Sequence, residues 1–269
     1  MTSLAPVAAL AAALAATLPA ALAASPALAA DLPPGIAGAR LVDGWAEPDG
    51  SRRAALVVEL QPGWKTYWRA PGEAGVPPML DWGGSVNLGA VAIDWPAPEM
   101  FHTAGLVTLG YHDRMVLPLR LTIPDADAPT ALHLHADLGL CRDICVPVAL
   151  DLAADLPGAS PEPETIRTAL AQVPRPGPAP AGCSFAPVAD GTRVTARFDP
   201  PPPGVDTAVI ETSQPEIWVA PAEMMAEGRA LILAADLIAP TARPFDADPA
   251  ALVFTLMTPD GAVETRGCP

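Results

Sequence analysis

The chain has 269 residues, with 15 basic against 30 acidic side chains and a formal net charge of −15. That balance speaks against a nucleic-acid partner, which would select for a basic face. Thirty-five prolines, and only seven aromatic residues besides the six tryptophans, point to many short strands joined by rigid turns.

The chain opens with MTSLAPVAALAAALAATLPAALAASPALAADLPP, which carries no charge until Asp31. The run is too weakly hydrophobic for a membrane span and ends in small-residue sites, Ala21-Leu22-Ala23 and Ala27-Leu28-Ala29. Residues 1–29 read as a secretory signal peptide, although the n-region lacks Lys and Arg. The competing reading, a retained anchor, is weakened by the boundary Ala-Ala-Asp-Leu-Pro-Pro. No later run reaches the roughly 18 apolar residues of a span. The expectation is an exported, soluble protein with no membrane span after cleavage.

Residues 31–157 show short apolar runs punctuated by Pro, Gly and Asp. Candidate strands are Ala54–Leu60, Met115–Ile123, Ala131–Leu138 and Val146–Leu152. Strand-sized segments at this spacing, without a helical period, predict an all-β antiparallel sandwich. Residues 158–182 have proline-rich ends around one short helical pattern, with Ser160 as N-cap, Pro161 at N1, and Ile166, Leu170 and Val173 on one face. They read as a linker with a short helix, or as a helix packed on the first domain. Residues 183–269 form a second, smaller β-rich domain, with candidate strands Arg193–Phe198, Thr207–Glu211, Glu216–Ala220, Ala230–Ala235, Ala251–Met257 and Ala262–Arg266.

Four cysteines in an exported protein favour disulfide chemistry over metal chemistry. Cys183 and Cys268 bracket the second segment. A bond between them would close a loop of about 86 residues, contributing on the order of 4 kcal/mol by chain entropy. A structural disulfide is the favoured reading, with a second redox pair as its competitor. Cys141 and Cys145, in "LGLCRDICVP", would lie roughly 13 Å apart in an extended chain, whereas a disulfide needs Cα atoms within about 7 Å. A bond therefore requires a turn at Arg142-Asp143-Ile144. So small a loop removes little unfolded-state entropy, which favours a labile, redox-type bond over a staple.

The surroundings carry a resemblance. "PGWKTYWRAPGEAGVPPMLDWGGSVNLGAVAIDWPAPEMF", "GLVTLGYHDRMVLPLRL" and "LGLCRDICVPVALDLAADL" occur in that order. Together they resemble the periplasmic N-terminal domain of the DsbD family, and within it the branch that includes the copper-tolerance protein ScsB. The resemblance is strong over residues 35–155 and looser beyond. It implies an immunoglobulin-like sandwich whose thiol pair, here Cys141 and Cys145, exchanges electrons with thioredoxin-like periplasmic partners. It also implies a loop that shields the disulfide. "PEMF" matches it, with Phe101 as the shield, Glu99 and Met100 as neighbours, and Tyr67 lining the same pocket. The chain shows neither the multi-helix membrane segment nor the thioredoxin-like domain of full-length members, so a separate membrane electron donor is expected.

From the residues alone, Asp137 and Asp143 flank the pair with only Arg142 to offset them. The expectation is a thiol pKa near normal or raised, and a passive carrier in which Cys145 forms the mixed disulfide and Cys141 resolves it. No cofactor is required. Copper is the alternative, because Cys-x3-Cys with histidine suits Cu(I); its ligands would be Cys141, Cys145, His133 and His135, with His102 and Met100 near the shield. The competing reading puts His133 and His135 on the solvent face while Leu132 and Leu134 fill the core. His112 reads as a turn residue. Trp64, Trp68, Trp82 and Trp95 read as packing residues, and Arg69 with Glu73 as a surface ion pair in a turn. A third function class is a non-catalytic β-sandwich interaction module.

Overall fold

A computed structural model describes residues 32–103, 105–156 and 163–269. The segment expected to be a signal peptide lies outside the described residues, as do Ser160 and Pro161. Leu32–Pro269 forms one compact unit. None of its described helices is long and apolar enough to cross a membrane.

Ten strands make up the first part: β1 (Ile36–Ala46), β2 (Arg52–Leu60), β3 (Lys65–Gly72), β4 (Met79–Asp81), β5 (Val91–Ile93), β6 (Glu99–Thr103), β7 (Leu106–His112), β8 (Arg114–Leu121), β9 (Ala131–Cys141) and β10 (Cys145–Asp155). They pair into a sheet of order β1-β2-β8-β5 and another of order β10-β9-β3-β7-β6, with β4 also on β9. All these pairs are antiparallel, and the two sheets enclose one core. Leu56, Val58, Met115 and Leu117 supply it from the first sheet, and Trp68, Leu109, Leu134, Leu138, Leu140 and Val148 from the second. The expected all-β sandwich is present, with the immunoglobulin-like architecture.

Ala54–Val58 is apolar without alternation, and its residues are buried on both faces of β2. The reason is helix α1 (Pro163–Leu170), whose Ile166 is fully buried against Val42, Ala55 and Val57 on the far side of that sheet. Of the two expectations for this segment, the helix docked on the first part is the one observed. Its partly buried Leu170 joins the same contact.

The remaining strands are β11 (Arg175–Pro176), β12 (Gly182–Pro187), β13 (Thr192–Phe198), β14 (Thr207–Thr212), β15 (Trp218–Val219), β16 (Glu223–Glu227), β17 (Ala230–Ile238), β18 (Leu252–Thr258) and β19 (Gly261–Arg266). They form sheets of order β11-β19-β18-β14 and β12-β13-β17-β15, with β16 also on β17. Their core is centred on Val194, Phe198, Ile210, Leu233, Leu237, Phe254 and Leu256. A disulfide joins Cys183 on β12 to Cys268 near the C-terminus, with Cα atoms 5.9 Å apart.

The two parts are packed against each other. Met257 and Ala262 belong to the first core, and the Thr207 hydroxyl donates to Met100 Sδ at 3.1 Å. Arg69 of β3 is largely buried between Glu211, which it meets at 2.9 Å through both Nε and Nη2, and Glu264, at 2.5 Å. The surface pair expected between Arg69 and Glu73 is therefore corrected. Carboxylates 142 and 195 positions away hold the arginine, while Glu73 accepts the Val107 backbone N–H.

Candidate functional site

Strands β9 and β10 form a hairpin in which Cys141 and Cys145 are direct cross-strand partners. The turn that the spacing demanded is Arg142-Asp143-Ile144, closed by the Arg142 N–H donating to the Ile144 carbonyl at 3.2 Å. The cysteines are disulfide-bonded, with Cα atoms 4.1 Å apart. Their environments differ: Cys141 is 3% exposed, whereas Cys145, at the mouth of the hairpin, is exposed.

Paired residues in a sheet share a face, and residues two apart on a strand return to it. Lys65 pairs with Cys141 on one side and His112 on the other. Cys145, Cys141, Lys65 and His112 thus form a row across four strands. Tyr67 is two residues from Lys65, and Glu99 and Phe101 pair with Gly110 and Thr108, which alternate with His112. The disulfide, Tyr67, Glu99 and Phe101 therefore lie on one outer face. Met100 points the other way, into the core and toward Thr207.

The Tyr67 hydroxyl lies 2.8 Å from Cys141 Sγ and 3.3 Å from Cys145 Sγ. Disulfide sulfur carries no proton, so the hydroxyl is the donor. Its ring sits in a slot made by two glycines. A Cβ at Gly139 would come within 3.0 Å of the ring, and one at Gly75 within 2.9 Å. Burial raises the phenol pKa above its ordinary value.

Phe101 occupies the far side of the face. Lys65 Nζ stands 4.8 Å from its ring centroid, and the His112 ring meets it edge-on at 6.3 Å. His112 Nδ1 also lies 2.8 Å from Glu99 Oε2. His112 is the last residue of β7 rather than a turn residue. The turn position is Asp113, at φ 57°, a left-handed conformation that Asp tolerates. Near the disulfide the turn residue Ile144 is 71% exposed, and Val76, beside Gly139, is 59% exposed; Met79, opposite Asp137 farther along β9, is 66% exposed.

Arg142 is engaged by Asp143 at 3.0 Å and stacks over Trp64 at 5.3 Å. Arg142 is thus not the one cation near the pair: Lys65, which the local sequence around the cysteines does not show, pairs with Cys141. The available signal was that Lys65 is the chain's only lysine, two residues before Tyr67. His133 and His135 are exposed while Leu132 and Leu134 are buried, which is the solvent-face arrangement. His135 Nδ1 is 2.7 Å from Asp151. Six positions of β9 separate His135 from Cys141, about 20 Å, so the sulfurs and these histidines do not meet. Trp68 is fully buried and Trp64 nearly so, with Trp82 and Trp95 at the margin of the core.

The fold and the site define a class: an immunoglobulin-like sandwich presenting a solvent-accessible hairpin disulfide held under a tyrosine. Residues 39–157 match the model of the N-terminal region of the thiol:disulfide interchange protein DsbD. Among solved structures, the N-terminal periplasmic domain of ScsB from Proteus mirabilis is similar at 26% identity, covering 83% of this chain and 89% of that one with a TM-score of 0.61. No curated protein matches the chain.

Proposed function

We propose that the chain is a periplasmic thiol–disulfide interchange protein that carries electrons between thioredoxin-like partners through Cys141 and Cys145. Residues 31–157 form its redox domain, 158–182 the connection and 183–269 the second domain, with residues 1–29 directing export.

The observation that carries this reading is the unequal burial of the two sulfurs' residues across one hairpin bond. A partner thiolate reaches Cys145 Sγ and not Cys141. As the new S–S bond forms, the Cys141–Cys145 bond breaks and its electron pair leaves on Cys141 as thiolate. The Tyr67 hydroxyl, already within 2.8 Å, donates to that thiolate at no cost in reorganisation. The partner's second thiolate then attacks its own sulfur in the mixed disulfide, releasing Cys145 reduced and the partner oxidised. Onward transfer runs the same steps in reverse: Cys145 attacks the next partner's disulfide and Cys141 resolves. Ile144, Val76 and Met79 supply apolar contact area, and Phe101 with Glu99 forms the shield.

The test is trapping in periplasmic extract. Cys141→Ala leaves Cys145 to accumulate a mixed disulfide with a thioredoxin-like protein, and Cys145→Ala accumulates none. Absence of any such adduct with the first variant would sink the reading.

A further inference from the structure

Lys65 reaches from the strand beside Cys141 toward β6, where its ammonium meets the Phe101 ring at 4.8 Å. The ring is also held edge-on by His112, and His112 is held by Glu99. Strand β6 is an edge strand, paired only with β7. Its place on the sheet therefore depends on one ladder and on these side-chain contacts. Strands β3 and β7 lie between β6 and β9, a lateral offset of about 14 Å between Phe101 and the cysteine-bearing strand. Its partner Thr108 also lies four residues, roughly 13 Å, along β7 from the row of Cys141, Lys65 and His112, so a ring held there is set off from the disulfide, and Cys145 is exposed.

We propose that Lys65 is a positioning residue of the redox face. Its cation fixes the Phe101 ring in a parked place and so keeps Cys145 open to an attacking thiolate. The inference rests on the reading of Phe101 as the shield. A cation over an aromatic face at a partly exposed site is a weak contact, the right size to bias a side chain between two positions without locking it. Lysine serves here because its long flexible stem spans the intervening strand.

The experiment is reduction of the full oxidised chain by 2-mercaptoethanol, with Cys145 alkylation read by peptide mass. One thiolate attacks Cys145 Sγ and Cys141 leaves. A second thiol cleaves the mixed disulfide, giving the reduced pair and oxidised mercaptoethanol. Lys65→Met is expected to slow the reaction about threefold, while Lys65→Arg, which keeps the cation, keeps the rate. In a Phe101→Ala background, Lys65→Met is expected to have no effect. A K65M chain as fast as wild type overturns the proposal. So does slowing that persists without Phe101, which would make the role of Lys65 purely electrostatic. Failure of the shield reading shows separately, as an F101A chain slower than wild type. Failure of the interchange reading shows as the absence of trapped partner with Lys65 intact.

Discussion

A tyrosine hydroxyl within reach of both sulfurs changes what the acidic flanks imply for the thiols. Asp137 and Asp143 taken alone argue for a raised thiol pKa. In the structure Asp143 is bonded to Arg142, and Tyr67 aims a proton at Cys141 from a buried slot. Donation to a thiolate favours the charged form. Tyr67→Phe is therefore expected to raise the pKa of the reduced pair by about one unit, read as thiolate absorbance at 240 nm against pH. An unchanged titration would show that the hydroxyl does not donate. Farther along β9, the hydrogen bond that His135 donates to the Asp151 carboxylate, with help from its charge, raises the His135 pKa above 6.5. Any stabilisation from that pair is complete below pH 6.5, the reference value, and lost as pH rises through the higher folded-state value. Asp151→Asn should bring the His135 midpoint down toward 6.5 in an NMR titration.

At the scale of elements, the hairpin β9–β10 and helix α1 do different work. The hairpin converts a four-residue separation into a cross-strand pair, which an extended chain forbids. Helix α1 has eight residues, too few to persist alone in water, so packing must hold it. Ile166→Ala would remove a fully buried side chain from between the helix and β1–β2 and is expected to cost about 2–4 kcal/mol. The measurement is the urea midpoint. A loss below about 0.5 kcal/mol, typical of surface substitutions, would mean the helix is undocked in solution. The uninterrupted run Ala54–Val58 could have announced this cover, since a strand buried on both faces does not alternate.

At the scale of the molecule, Arg69 ties β3, the strand that carries Tyr67, to the second part. One guanidinium faces two carboxylates, Glu211 and Glu264, with side-chain exposures of 20%, 19% and 17%. Removing the cation leaves two half-buried anions side by side. Arg69→Met is expected to destabilise the fold by about 3–5 kcal/mol, measured by thermal or urea unfolding. The triple neutral variant Arg69→Met, Glu211→Gln, Glu264→Gln should recover much of that loss. Equal instability in both would show that the charges are not the cause.

What residues 32–269 owe to sequence alone is local. Turn residues and apolar runs specify strands, and ladder hydrogen bonds make a strand out of any such run. Cysteine spacing specifies that a bond needs a turn. The motifs around Tyr67, Phe101 and Cys141 specify a family. Short or edge strands such as β4, β5 and β16 left no such trace, because their residues are held by neighbours rather than by their own pattern. Register decided the rest. It placed Lys65 beside Cys141 and turned Met100 inward, while the place of β10 at the sheet edge and β9 inside it left Cys145 exposed and Cys141 buried. It belongs to the tertiary structure because a slip of one residue would exchange the two faces of the sheet, and only the shared core opposes that slip. Arg69 shows the same limit: its partners are 142 and 195 positions away, beyond the reach of any local pattern.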